Sequence, residues 1–118
     1  MEHHRMMKDL FKEFNERYDK LNHSLHKIEK NCKKLSDLED SPKLAYKLND
    51  FFNLCAEEYF WYKKGRIDKD IWSAWSDGMN DWYNNVEVIQ NAWEAEIKNR
   101  GYTSYYIKKK DDFFKLRQ

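Results

Sequence analysis

The stretch FFNLCAEEYFWYKKGRIDKDIWSAWSDGMNDWY, from Phe51 to Tyr83, decides the fold. Its first half sets Phe51, Cys55, Tyr59 and Tyr62 on one helical face, with Phe52, Ala56 and Phe60 widening the stripe. Its second half continues the same period through Ile71, Trp72, Trp75, Met79 and Trp82. Between the halves the signals for a turn are dense. Lys63 and Lys64 suit the negative end of a helix dipole, and Gly65 can take the left-handed conformation that closes a helix. Asp68 can cap the next helix, with Ile67 and Trp72 placed to pack across its start. The stretch therefore predicts a helical hairpin, and Gly78 predicts a point where another backbone could come close.

Upstream, Ser41-Pro42 marks the start of the first helix of the hairpin, which also takes in Leu44, Ala45 and Leu48. Residues 36–42 are the one clear linker. Before it, Met7, Phe11, Phe14, Tyr18, Leu21, Leu25, Ile28, Cys32 and Leu35 follow one another by alternating steps of four and three, a heptad seam. A helix of some thirty residues is about 45 Å long, against about 33 Å for the helix from Pro42 to Lys64. Part of the seam would then overhang its own bundle, and a second copy is expected to cover it through Phe11, Phe14, Tyr18, Leu21, Leu25 and Ile28. A dimer is favoured. The bulk of Phe11 and Tyr18, and uncharged flanking residues such as Asn15, Asn22 and Asn31, fit the opposite arrangement as well, a seam packed within one chain.

Downstream, Asn84-Asn85 breaks the pattern and Asn85 can cap a helix with Val86, Ile89, Trp93 and Ile97 inward, closed by Gly101. Thr103 can cap a last helical segment running through Tyr106, Ile107, Phe113 and Leu116. The run Lys108 to Asp112 has no apolar residue, which predicts a fraying end.

A length of 118 residues suits one domain, and 17% aromatic residues beside a mean hydropathy of -1.10 predict a core of a few large rings. Three glycines and one proline leave little material for a hairpin-rich sheet. The expected fold is an all-α bundle of four to five helices, a single domain over 1–118, with a long helix at 3–35 and a compact part at 42–118. The balance of 22 basic to 21 acidic residues excludes a partner chosen by net charge alone. Locally the charge is uneven, since 67–101 holds seven acidic residues against three basic ones. No stretch approaches the roughly 20 apolar residues of a membrane span, and Cys32 and Cys55 have no metal-binding spacing. A cytoplasmic protein with reduced core thiols is the expectation, with no membrane association.

The run Phe51 to Tyr59, then Lys63-Lys64-Gly65-Arg66-Ile67-Asp68, then Ile71, Trp72 and Trp75, resembles a pattern in uncharacterised small helical proteins of bacteria and their phages. Some of those proteins are loosely linked to phage-infection phenotypes, so the resemblance implies a small helical fold and a place in phage–host conflict. Many of them carry an N-terminal membrane segment, which this sequence does not show. The resemblance transfers no catalytic residue.

Few residues are placed for chemistry. His23 and His26, with Glu29 one turn on, offer three groups beside a repelling Lys30, and a zinc site wants convergent ligands. Surface histidines are the simpler reading there and at His3-His4, and no metal or cofactor is expected. All four histidines precede Lys27, far from Cys55, and Glu57 and Glu58 diverge by about 100° on a helix, which disfavours an enzyme. Lysine–aromatic clusters stand out more. Tyr105 and Tyr106 precede Lys108, Lys109 and Lys110, while Trp61, Lys63, Lys64 and Arg66 surround the hairpin turn. Trp72, Trp75 and Trp82 read as core and Trp61 as an exposed anchor. The sequence thus predicts a non-enzymatic, self-associating protein-interaction module. The alternative is a nucleotide or nucleic-acid binder using those clusters at an oligomer interface.

Overall fold

The turn after Lys63 closes as its residues dictate. In the computed structural model of the chain, which describes residues 2–116, Gly65 has φ 75°. The Arg66 N–H donates to the Trp61 carbonyl and the Gly65 N–H to the Tyr62 carbonyl, both at 2.9 Å, the paired bonds that satisfy the last carbonyls of a helix. Asp68 Oδ1 then accepts from the Asp70 N–H at 2.7 Å and opens the next helix.

Around this turn the described residues form five helices and no strand: α1 (Glu2–Asn31), α2 (Leu35–Glu39), α3 (Pro42–Lys63), α4 (Lys69–Asn85) and α5 (Glu87–Arg100), followed by short 3-10 turns at Tyr102–Tyr105 and Lys109–Asp111. The long first helix stops at Asn31 rather than Leu35. Asp37 Oδ2 accepts from the main-chain N–H groups of Lys33 (2.9 Å) and Lys34 (3.2 Å), taking amides that a continuing helix would have bonded itself. The expected linker becomes the one-turn α2, whose Leu38 is buried. Ser41 does precede α3, with Pro42 in the first turn, but its hydroxyl makes no capping bond. Asn84 and Asn85 stay inside α4. The break falls on Val86, which is buried and bonds both ways: its N–H reaches Trp82 and its carbonyl accepts from Ile89 and Gln90.

The end of the chain departs furthest from expectation. Among the described residues no last α-helix forms, because Tyr106 turns left-handed (φ 62°) and closes the first 3-10 turn. The chain does not fray there either. Asp112 is drawn inside, where Oδ2 accepts from Trp93 Nε1 at 3.1 Å and Oδ1 from the Phe114 N–H at 3.0 Å. This pins Phe113 and Phe114, both 0% exposed, in the middle of the molecule. There Phe114 stacks on Tyr83 with centroids 4.8 Å apart and meets Trp93 at 5.0 Å, while Phe52 meets Trp93 at 5.1 Å. Each such ring removes about 1.5–3 kcal/mol worth of apolar surface from water.

Helix α1 lies along α3. Phe14, Leu21, Leu25 and Ile28 are between 0% and 6% exposed within the single chain, so a second copy cannot reach them. That corrects the expectation that these four residues mediate self-association, and the reason is geometric. Two indoles of α4 brace α1 from the other side, Trp75 Nε1 donating to Asn15 Oδ1 (3.1 Å) and Trp82 Nε1 to the Tyr18 hydroxyl (2.9 Å). Between those indoles, no heavy atom from beyond its own stretch of helix backbone lies within 4 Å of where a Cβ would stand on Gly78, so the close approach of another backbone does not occur within the chain.

Candidate functional site

Where α1 and α3 run side by side, their outer edges form a shallow groove. Helix α1 contributes Arg17, Lys20, Ser24 and Lys27, at steps of three and four that keep them on one edge. Helix α3 contributes Lys43, Tyr46, Lys47, Asp50, Asn53 and Glu57 on the same principle. A depression of about 560 Å³ lies between Arg17, Lys20, Lys47 and Glu57, with Tyr106 also in its wall. Beyond Tyr106 a smaller hollow of about 250 Å³ is lined by Phe60, Lys63, Lys64, Ile107 and Asp111. Tyr106 borders both.

Its conformation is unusual for so large a side chain. A non-glycine residue at positive φ crowds its Cβ against the backbone at a cost of about 1–2 kcal/mol, and this one holds its ring 66% exposed. The ring meets Phe60 edge-on at 5.8 Å, and Lys64 Nζ sits 5.4 Å from the Phe60 centroid. The two lysine–aromatic segments, more than forty positions apart, therefore supply one hollow.

No protein-family model matches the chain, and no curated protein or solved structure is significantly similar to it. The site's chemistry has to be read from its own residues.

The floor of the groove is neutralised internally. Arg17 grips Glu57 with two bonds, Nη1 to Oε1 at 3.1 Å and Nη2 to Oε2 at 2.7 Å, and the Glu57 bond holds the guanidinium above its usual range. Beside it Glu58 is buried, and that burial pushes its carboxyl up to about 8, against the pull of Arg17. Around this neutral floor the lysines are uncompensated. Among the described residues Lys20, Lys27, Lys43, Lys47, Lys63 and Lys64 form no ion pair.

Other predicted residues fall elsewhere. Tyr105 is buried against Trp93 at 4.9 Å, so Tyr106, not Tyr105, is the accessible ring. Trp61 is half-buried against the core rather than a free anchor, and Arg66 is engaged with His3 Nδ1 at 2.9 Å. Lys108, Lys109 and Lys110 are exposed on the segment between Ile107 and Asp111. Phe11 remains 42% exposed, stacked on Trp75 at 6.2 Å, and Tyr18 is half-buried under Trp82. His23 and His26 are exposed, and His26 turns its edge on Trp82 at 4.9 Å. Among the described residues no group of three or more potential ligands converges for a metal. Cys32 and Cys55 are free and buried, and burial pushes both thiols up.

Sequence reasoning missed Lys43, Tyr46, Lys47 and Lys20. The signal was present as spacing: Lys43, Lys47 and Asp50 recur by three and four on the side of α3 away from its apolar stripe. Runs of adjacent lysines are conspicuous in a sequence, whereas a helical row of single lysines is not.

Proposed function

We propose that the chain is a non-enzymatic binding protein whose ligand combines phosphate with an aromatic base, a nucleotide or a nucleic acid. One observation carries this reading: Phe60 and Lys63 from α3, Lys64 just past its end, and a strained, exposed Tyr106 line one hollow. Lysines there answer phosphate charge and the outer face of Tyr106 offers a stacking surface. Catalysis has less support, since the thiols are buried and the histidines sit on exposed turns of α1. The test is calorimetric titration with nucleoside monophosphates at low salt. Binding that Tyr106→Ala and Lys63→Glu each weaken supports the reading; no heat with any nucleotide or oligonucleotide overturns it.

A second reading, self-association in a protein-interaction module, is favoured by the apolar patch that remains on α1. Phe11 stays 42% exposed on its stack with Trp75, at the end of α1 that passes the hairpin turn, and Met6, 40% exposed, stands on another side of the same helix end. We infer a dimer formed through this patch, in place of the buried seam, and light scattering that gives a monomer at micromolar concentration would remove it. No described helix is long and apolar enough to cross a membrane. Two free cysteines suit a reducing compartment such as the cytoplasm, and the resemblance noted above points to phage–host conflict as the setting.

A further inference from the structure

The hollow at Tyr106 is one end of a longer row of depressions. Tyr106 also borders the depression beside Arg17, which shares Lys47 and Asp50 with the next. That one shares Lys27, Lys43 and Leu44 with a last depression at Asn31 and Pro42. The row follows the α1–α3 edge, and none of its lining residues belongs to α4 or α5. Along it, the six unpaired lysines face two carboxylates outside the Arg17–Glu57 pair, Asp50 and Asp111. The two most exposed large apolar side chains of the described chain stand at its two halves, Tyr46 at 73% and Tyr106 at 66%. Solvated lysines need no explanation, but exposed tyrosines alternating with them along one groove do.

We propose that this groove binds single-stranded nucleic acid lengthwise, with the lysines on phosphates and Tyr46 and Tyr106 each stacking an unpaired base. The proposal rests on the nucleotide reading above and assigns its ligand as a polymer. A duplex hides its base faces, so exposed rings favour a single strand. From Lys43 to Lys64 the groove is about 30 Å long at the helical rise, room for at most about nine nucleotides at the stacked spacing of 3.4 Å.

The experiment measures fluorescence anisotropy of labelled oligothymidylate and oligouridylate of increasing length, with thymidine monophosphate as competitor. Affinity should rise with length until the groove is filled, and log K should fall with log salt at a slope near -4, about 0.7 for each of six lysines. Tyr46→Ala should weaken a filled-length oligonucleotide roughly 10-fold or more and leave the monophosphate unaffected, whereas Tyr106→Ala should weaken both. Tyr46 touches no core, so unchanged circular dichroism separates lost binding from lost fold. The deoxy and ribo arms decide which strand is preferred. Oligonucleotides that bind no tighter than the monophosphate overturn the groove and leave the nucleotide reading standing; absence of binding by either overturns both. Equal binding of a duplex, of polyphosphate, or of phosphatidylserine vesicles overturns the single-strand assignment.

Discussion

Glu58 is the residue whose chemistry most exceeds its surroundings' tolerance. Its carboxyl is pushed up to about 8 by burial, with Arg17 and Glu57 the charged groups beside it, so at neutral pH it is mainly protonated inside the fold. An unfolded glutamate ionises near 4.5. Between those values the folded state holds the extra proton, so stability is fully present below about 4.5 and is lost as pH rises through about 8. Replacing Glu58 with glutamine removes the ionisation while keeping the shape. Thermal melts of Glu58→Gln should be flat from pH 5 to 9 where the parent declines, and a parallel decline in both would refute this account. The spacing does set Glu58 apart from Glu57: steps of four, three and four run through Phe51, Cys55, Glu58 and Tyr62, so Glu58 falls on the apolar stripe, whereas Glu57 turns about 100° away to meet Arg17.

At the scale of the helix, α3 and α4 were legible because each carries its period and its caps locally: Gly65, Asp68 and the aromatic stripe act within a few residues. The boundaries that were misplaced depend on partners further off. Asp37 ends α1 from beyond it, and Val86 is chosen over Asn85 because its side chain is wanted in the core. Gly78 offers a direct check on α4. A Cβ there meets nothing beyond its own stretch of helix backbone within 4 Å, so Gly78→Ala should stabilise the chain by about 1 kcal/mol, seen as a higher denaturant midpoint. If a partner backbone seats on Gly78, the same change would weaken that complex. The seam of α1 gives the converse test. Leu21→Asp puts a carboxylate at a site 6% exposed, at a cost of about 3–5 kcal/mol, so circular dichroism should show unfolding of the monomer. A folded variant with only its oligomeric mass changed would contradict the intramolecular seam.

Over the whole molecule, charge is separated in a way that the net value of +1 conceals. The outer face of α4 carries Asp70, Asp77 and Asp81, while the α1–α3 edge carries the lysine row. The all-helical class followed from composition and period, but the groove did not, since it exists only once α1, α3 and Tyr106 are brought together. The aromatic wealth first suggests a binding surface. Most of it serves the centre, where rings from α3, α4, α5 and the final segment meet.

The inward turn at Asp112 gives the molecule the layout of a vessel with a stopper. Phe113 and Phe114 fill its centre, yet they are joined to the rest through exposed Lys108, Lys109 and Lys110. A brief exposure to trypsin should cut there first. The severed tail would then hold its place as a bound peptide rather than as part of the chain, so the melting temperature of the nicked protein should fall on dilution while that of the intact protein does not. A nicked form that melts independently of concentration would mean that the five-helix remainder closes over the vacancy without its stopper. The observed burial predicts instead that an ordinary protease could convert this fold into a two-component assembly, held together only as long as both parts are abundant.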